Sequence, residues 1–225
     1  MLKKDTITVQ VGKQTLKFET GKVARQANGS VMVHCGETIV FASACASPTA
    51  GEGLDFFPLR VDYQVKYSSA GRTAGVFLKG EGRPTEREIL VSRLIDRPIR
   101  PMFDDGYHNE VQLLSYVFSY DGVHIPDVLG ICAASAALVI SDIPLLRPIA
   151  AVRMGFVDEE FVINPTVDEM KRSRLDLVLA GTEDAFLMIE GFCDFLTEAQ
   201  VLEAIEKGHV AISSICKELA AWREK

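Results

Sequence analysis

From residue 7 to residue 65 apolar and polar residues alternate with a period of two, and the first helix signal comes only at Thr85. Period-two alternation places one set of side chains on a buried sheet face and the other towards solvent, so this stretch predicts strands. The segments are 7–11, 15–20, 31–34, 38–46 and 57–65, with Gly12-Lys13 and Gly36 at turns. TIVFASACA at 38–46 is small and apolar enough to be a central strand.

Thr85 followed by Glu88 has the spacing of a capping box, with Pro84 just outside, so a helix is expected over 85–96. Leu90, Val91, Leu94 and Ile95 would form its buried stripe. Pro98 restricts Arg97 and should end the helix near Asp96. Strands are then expected at 111–120, 150–157, 161–163, 175–180 and 186–190. The small-residue run DVLGICAASAALVI at 127–140 reads as a tightly packed helix, and Thr197 with Gln200 opens a last one, with Gly208 as its weak point. Strands precede helices in blocks, which favours α+β over a regularly alternating parallel sheet.

With 225 residues, 48% of them hydrophobic, the chain can bury a substantial core as one large domain or two lobes. No stretch approaches the roughly 18–20 apolar residues that span a bilayer, and MLKKDTITVQV has no signal-peptide core, so a soluble cytoplasmic protein without a membrane partner is expected. The five cysteines (Cys35, Cys45, Cys132, Cys193, Cys216) form no C-x-x-C pair and read as small buried thiols. The four histidines show no ligand spacing.

Net charge is −7, yet the window from Lys79 to Arg100 carries six basic and four acidic residues. A locally basic site on an acidic body suits a protein that meets a polyanion in one place. Just before the helix, SSAGRTAGVFLKGEGRP (68–84) has four glycines and no periodicity, the pattern of a long functional loop. Arg93 and Arg97 should project away from the buried stripe. Arg100, between Pro98 and Pro101, should ride a stiff extended segment on the same side.

These stretches carry a resemblance. LDFFPLRVDYQVKYSSAGRTAGVFLKGEGRPTEREILVSRLIDRPIRPMF (54–103), ETGKVARQANGSVMV (19–33) and SRLDLVLAGTEDAFLMIEG (173–191) resemble the first core of bacterial polynucleotide phosphorylases. The likeness runs over essentially the whole chain. It implies an RNase PH-like α+β fold, the ribosomal protein S5 domain 2-like arrangement, with lobes at 1–145 and 146–225. It also implies a parent enzyme that degrades single-stranded RNA from the 3′ end with inorganic phosphate. In that family, three subunits form a ring. Each carries two such cores, a helical linker, and KH and S1 domains, and Mg²⁺ is bound in the catalytic second core. The chain ends at WREK without a terminal signal and is expected to continue in a longer protein.

The resemblance also assigns residues. Family members usually place two aromatic and two basic residues before the EGRP turn, as a constriction for single-stranded RNA; here the position reads Phe77-Leu78-Lys79-Gly80. Phe77 can stack on any base and Lys79 can meet a phosphate, while Leu78 and Gly80 depart from the pattern. Arg83, Arg93, Arg97 and Arg100 match positions associated with phosphate contacts, which are the same at every nucleotide. Arg87 is left to the surface.

In the active core of the family a serine-rich turn holds phosphate, and two aspartates six positions apart bind metal or act as acid. This chain has Ile125-Pro126-Asp127 at the turn, and Asp168 and Arg174 at the aspartate positions. An aspartate repels phosphate and an arginine ligates no cation, so no catalytic or metal residue and no cofactor is expected here. The leading reading is an RNA-guiding, ring-forming core without its own chemistry. The alternatives are a self-sufficient RNase PH-type phosphorolase and a purely structural subunit.

Overall fold

The computed structural model describes residues 4–51, 53, 55–73 and 82–225. Strands β1 (Asp5–Val11), β2 (Gln14–Thr20), β3 (Gly29–Cys35) and β4 (Thr38–Ala50) form an antiparallel meander. Its register sets Ile7 opposite Phe18 and Val9 opposite Leu16, so the alternation read from sequence becomes a row of cross-strand apolar pairs. Leu16 and Phe18 are fully buried, a gain of about 1.5–3 kcal/mol each.

The sheet continues past β4 with β6 (Asn109–Ser119) and then β5 (Leu59–Val65), giving the order β1-β2-β3-β4-β6-β5. Only β5 and β6 run parallel, and helix α1 (Glu86–Ile99) provides the crossover between them. A second, antiparallel sheet has the order β10-β9-β7-β8, from β7 (Ala150–Val157), β8 (Glu160–Ile163), β9 (Leu175–Gly181) and β10 (Phe186–Cys193). The mixed α+β architecture expected from the order of the patterns is what forms.

Helix α2 (Asp127–Val139) holds the two sheets together, packing on β3, β4 and β6 of one and β7 of the other. Every residue in it is buried, which small side chains permit. The approach is close: a Cβ on Gly29 of β3 would stand 2.0 Å from the Ala137 carbonyl oxygen. The last long helix, α4 (Glu198–Arg223), is capped by Thr197 and Gln200 as expected and packs on β1, β7 and β9. Gly208 is buried inside this helix, where a Cβ would meet the end of the Leu179 side chain at 2.4 Å. The Trp222 indole N–H donates to Asp5 at 2.9 Å and ties this helix to the first strand.

Four expectations need correction. Helix α1 runs through Pro98 to Ile99, because a proline in the final turn forfeits a single backbone bond and its ring is buried together with Ile99. Arg100 therefore begins a short 3₁₀ turn, Arg100–Met102, rather than an extended segment. Leu90 is half exposed, and the buried stripe is Val91, Ile95, Pro98 and Ile99 with Leu94 at its margin. The long loop expected over 68–84 opens with a 3₁₀ turn, Tyr67–Ala70, and its residues 74–81 lie outside the described residues. Cys35, Cys132 and Cys216 are buried, but Cys45 and Cys193 are exposed. One element escaped the pattern reading: α3 (Val167–Met170), a single turn capped by Thr166 and Glu169.

Candidate nucleic-acid interface

Helix α1 organises the site, and its first turn is held on both sides. Thr85 accepts from the Glu88 amide, while the Glu88 carboxylate accepts from the Thr85 amide at 2.7 Å and the Val65 amide at 2.8 Å. Burial opposes that charge, but the amides of Thr85 and Val65 outweigh it and hold the Glu88 carboxyl below its usual range. One side chain thus caps α1 and pins its start to the end of β5.

Two clefts flank the helix, with Tyr63 in the wall of both. The smaller, about 310 Å³, contains Arg93 and Arg100 beside Asp62, Ile89 and Asp96. The arginines differ in what they are free to do. Arg93 is exposed and has no ion pair among the described residues. Arg97 is exposed as well and pairs with Glu190 of β10, bridging α1 to the second sheet. Arg100 is occupied: it donates to Asp96 at 2.7 Å, to the Phe57 carbonyl at 3.0 Å and to the Leu59 carbonyl at 3.1 Å. Its guanidinium also lies over the Phe57 ring.

The larger cleft, about 550 Å³, lies outside the carboxyl ends of the parallel pair β5 and β6, where α1 and α2 both begin. Ligands of open α/β sheets settle at such ends. Tyr63, Tyr67, Tyr120, Arg83, Arg87 and Asp127 line it. Asp127, only 6% exposed, accepts from Arg87 at 3.2 Å and from Arg153 at 3.4 Å. Arg153 in turn donates both to Asp127 and, at 2.7 Å, to Asp176. The Asp127 charge raises the Arg87 guanidinium's already high pKa further.

Sequence reasoning missed this four-membered chain of charges. Arg87 is indeed on the surface, yet its head group engages a buried carboxylate. Arg153 did leave a signal: it is the only charge in AAVRMGFV, an otherwise apolar strand that should be buried on both faces.

The two positions that resemblance equates with acid or metal ligands do other work. Asp168 is exposed on α3 and pairs with Lys171 at 2.7 Å. Arg174 donates to the carbonyls of Asp194 and Phe195, at 3.3 and 3.1 Å, fastening the start of β9 to the loop after β10. Among the described residues no three His, Cys, Asp or Glu side chains gather as a metal site. Phe77 and Lys79, with Leu78 and Gly80, lie outside the described residues.

Residues 13–144 match the model of the 3′ exoribonuclease family, domain 1, and residues 147–211 match domain 2 of the same family. The chain belongs to this family. Among curated relatives, this RNase PH-type core is 66% identical over 224 residues to the polyribonucleotide nucleotidyltransferase of Protochlamydia amoebophila, covering all of the core and 32% of that protein. It is 63% identical over 210 residues to the enzyme of the same name from Chlamydia pneumoniae, covering 93% of the core and 30% of that protein. The core thus spans about a third of the length of the curated relatives it matches. Among solved structures it superposes on rice Rrp46 with a TM-score of 0.74 at 18% identity, over 95% of this chain and 96% of that one. A second is the Archaeoglobus fulgidus exosome with RNA bound to its active site (TM-score 0.67, 17% identity, 98% and 87% coverage). Both likenesses establish the RNase PH-like fold.

Proposed function

We propose that this chain is the first core of a polynucleotide phosphorylase, an enzyme that shortens RNA from its 3′ end with inorganic phosphate. Within that enzyme it guides single-stranded RNA and builds the ring, while a second core performs the chemistry with Mg²⁺. The observation that carries this reading is the start of α2. Where the active cores of the family present hydroxyls to phosphate, this helix presents Asp127, buried and paired with Arg87 and Arg153. A buried carboxylate with two guanidinium partners is a finished structural element, and Arg174 is likewise taken up by carbonyls.

RNA guidance rests on Arg93 and Arg97 on the exposed face of α1, with Arg83 at the larger cleft and Phe77 and Lys79 beside it in sequence. Phosphate contacts of this kind suit degradation that ignores sequence. Ring formation is supported by β10, an edge strand of the second sheet on which Ile189 and Phe192 are exposed, with Phe195 94% exposed just beyond. Unpaired edges with apolar side chains favour a covering partner, here the other cores of a homotrimer. The enzyme so read would act in mRNA turnover in the cytoplasm; no helix among the described residues is long and apolar enough to cross a membrane.

The test is release of labelled nucleoside diphosphate from a short poly(A) substrate, with phosphate and magnesium. The 225-residue chain should show none, and the full-length enzyme should be active. Phosphate-dependent turnover by the chain alone, abolished by Asp168→Asn or Asp176→Asn, would instead make it a self-sufficient phosphorolase.

A further inference from the structure

We propose that the cavity between the first turns of α1 and α2 binds a single nucleobase, an inference that rests on the RNA-guiding reading and extends it. The cavity, about 550 Å³, falls within the size range of small-ligand sites. Three of its lining residues, Tyr63, Tyr67 and Tyr120, are tyrosines; Tyr63 is buried in the wall, while the more accessible rings of Tyr67 and Tyr120 are the ones that can stack on a base.

Its charges select against a phosphate at the floor and for a neutral, hydrogen-bonding ligand. Asp127 is matched by Arg87 and Arg153, and Arg153 also by Asp176. Glu88 is satisfied by the amides of Thr85 and Val65. Arg83 is the lining cation with no ion pair among the described residues, and it is exposed, as a contact to the phosphate attached to a base would require.

The wall also holds one unused polar group. Tyr63 is 2% exposed, and its hydroxyl is buried with no hydrogen-bond partner. Among the cavity's lining residues it is the sole such atom in the described chain. A phenol both donates and accepts, so it can meet either kind of group on a base edge. Burial lifts this phenol far above its ordinary range, which keeps the proton available for donation. Tyr63 also walls the Arg93 cleft, so a strand resting its phosphates on α1 is one side chain away from the cavity.

The experiment is calorimetric titration of the 225-residue chain with adenosine, uridine and ribose, and separately with a hexa-adenylate. Wild type, Tyr63→Phe, Tyr120→Leu and Arg93→Asp are compared. Saturable binding of the nucleosides but not ribose is expected, unchanged between low and moderate salt. Tyr63→Phe should weaken it on the order of three- to tenfold, the loss of one hydrogen bond, without lowering the melting temperature. Tyr120→Leu should weaken it further by removing a stacking surface.

Absence of saturable nucleoside binding, or equal affinity in wild type and both tyrosine variants, overturns the inference. Hexa-adenylate binding that falls with salt and with Arg93→Asp, without nucleoside binding, leaves RNA guidance standing and removes the cavity. Nucleoside binding without hexa-adenylate binding does the reverse, and assigns the cavity to free nucleosides.

Discussion

Helices α1 and α2 begin at the same end of the large sheet and start in opposite ways. The first turn of α1 is exposed and is satisfied locally, by Thr85 and Glu88 three residues apart. The first turn of α2 is buried, starts at Pro126 with no side-chain cap, and places a carboxylate among guanidiniums from α1 and β7. Charge is handled accordingly. On the outer face of α1 Arg93 and Arg97 are exposed, and at Arg93 the charge remains free for a polyanion; at the start of α2 the charges of Asp127, Arg87 and Arg153 are matched within the fold. A charge kept in water can be offered to a ligand at little cost, whereas a buried one must be compensated permanently.

The comparison can be broken most decisively at Arg153. Replacing it with Met leaves Asp127 buried with only the exposed Arg87 as partner, and should destabilise the fold by about 3–5 kcal/mol in urea denaturation. Arg93→Ala should stay within about 0.5 kcal/mol of wild type. Similar losses at the two sites would show that the buried network is no more demanding than the surface.

RNA binding should order the residues the other way. Arg93→Asp and Arg97→Asp should weaken single-stranded RNA of any sequence and flatten the salt dependence by about 0.7 per lost phosphate contact. Arg100→Asp should do so only together with a loss of stability, since Arg100 holds Asp96 and the carbonyls of Phe57 and Leu59. A base-dependent loss in a filter-binding series would remove these arginines from the phosphate path.

The smallest effect belongs to the capping box. Thr85→Ala should cost about 1 kcal/mol, with the Asp127 network untouched. The Glu88 carboxyl is held below its ordinary value of 4.5, so its contribution is complete above that pH and is lost as pH falls through the folded value. Acid titration of Glu88→Gln should therefore be flatter than wild type below about pH 4.5. Parallel titration curves would mean that Glu88 does not hold the start of α1.

Most strands were legible because a half-buried sheet imposes a period of two, and Ile7, Val9, Leu16 and Phe18 keep it without exception. The capped starts of α1 and α4 were legible because a capping box satisfies its amides within four residues. The end of α1 was misread at Pro98, where burial of the ring and of Ile99 overrides a local preference. Arg93 and Arg97 were correctly placed on the exposed face by helical spacing, since 100° per residue fixes which side they leave from. Arg100 was misplaced because its acceptors, Phe57 and Leu59, lie more than forty residues earlier in the chain.

The sequence by itself determined the α+β class, the starts of α1, α2 and α4 and the basic face of α1, since each depends on residues within a turn or two of one another. Only the tertiary structure decided that Arg87, Asp127, Arg153 and Asp176 form one chain of charges, that Arg174 fastens a loop, and that two clefts meet at Tyr63. These partners come from α1, α2, β5, β7 and β9, and what each charge does depends on desolvation and on opposite charges brought close by folding, which no spacing along the chain encodes.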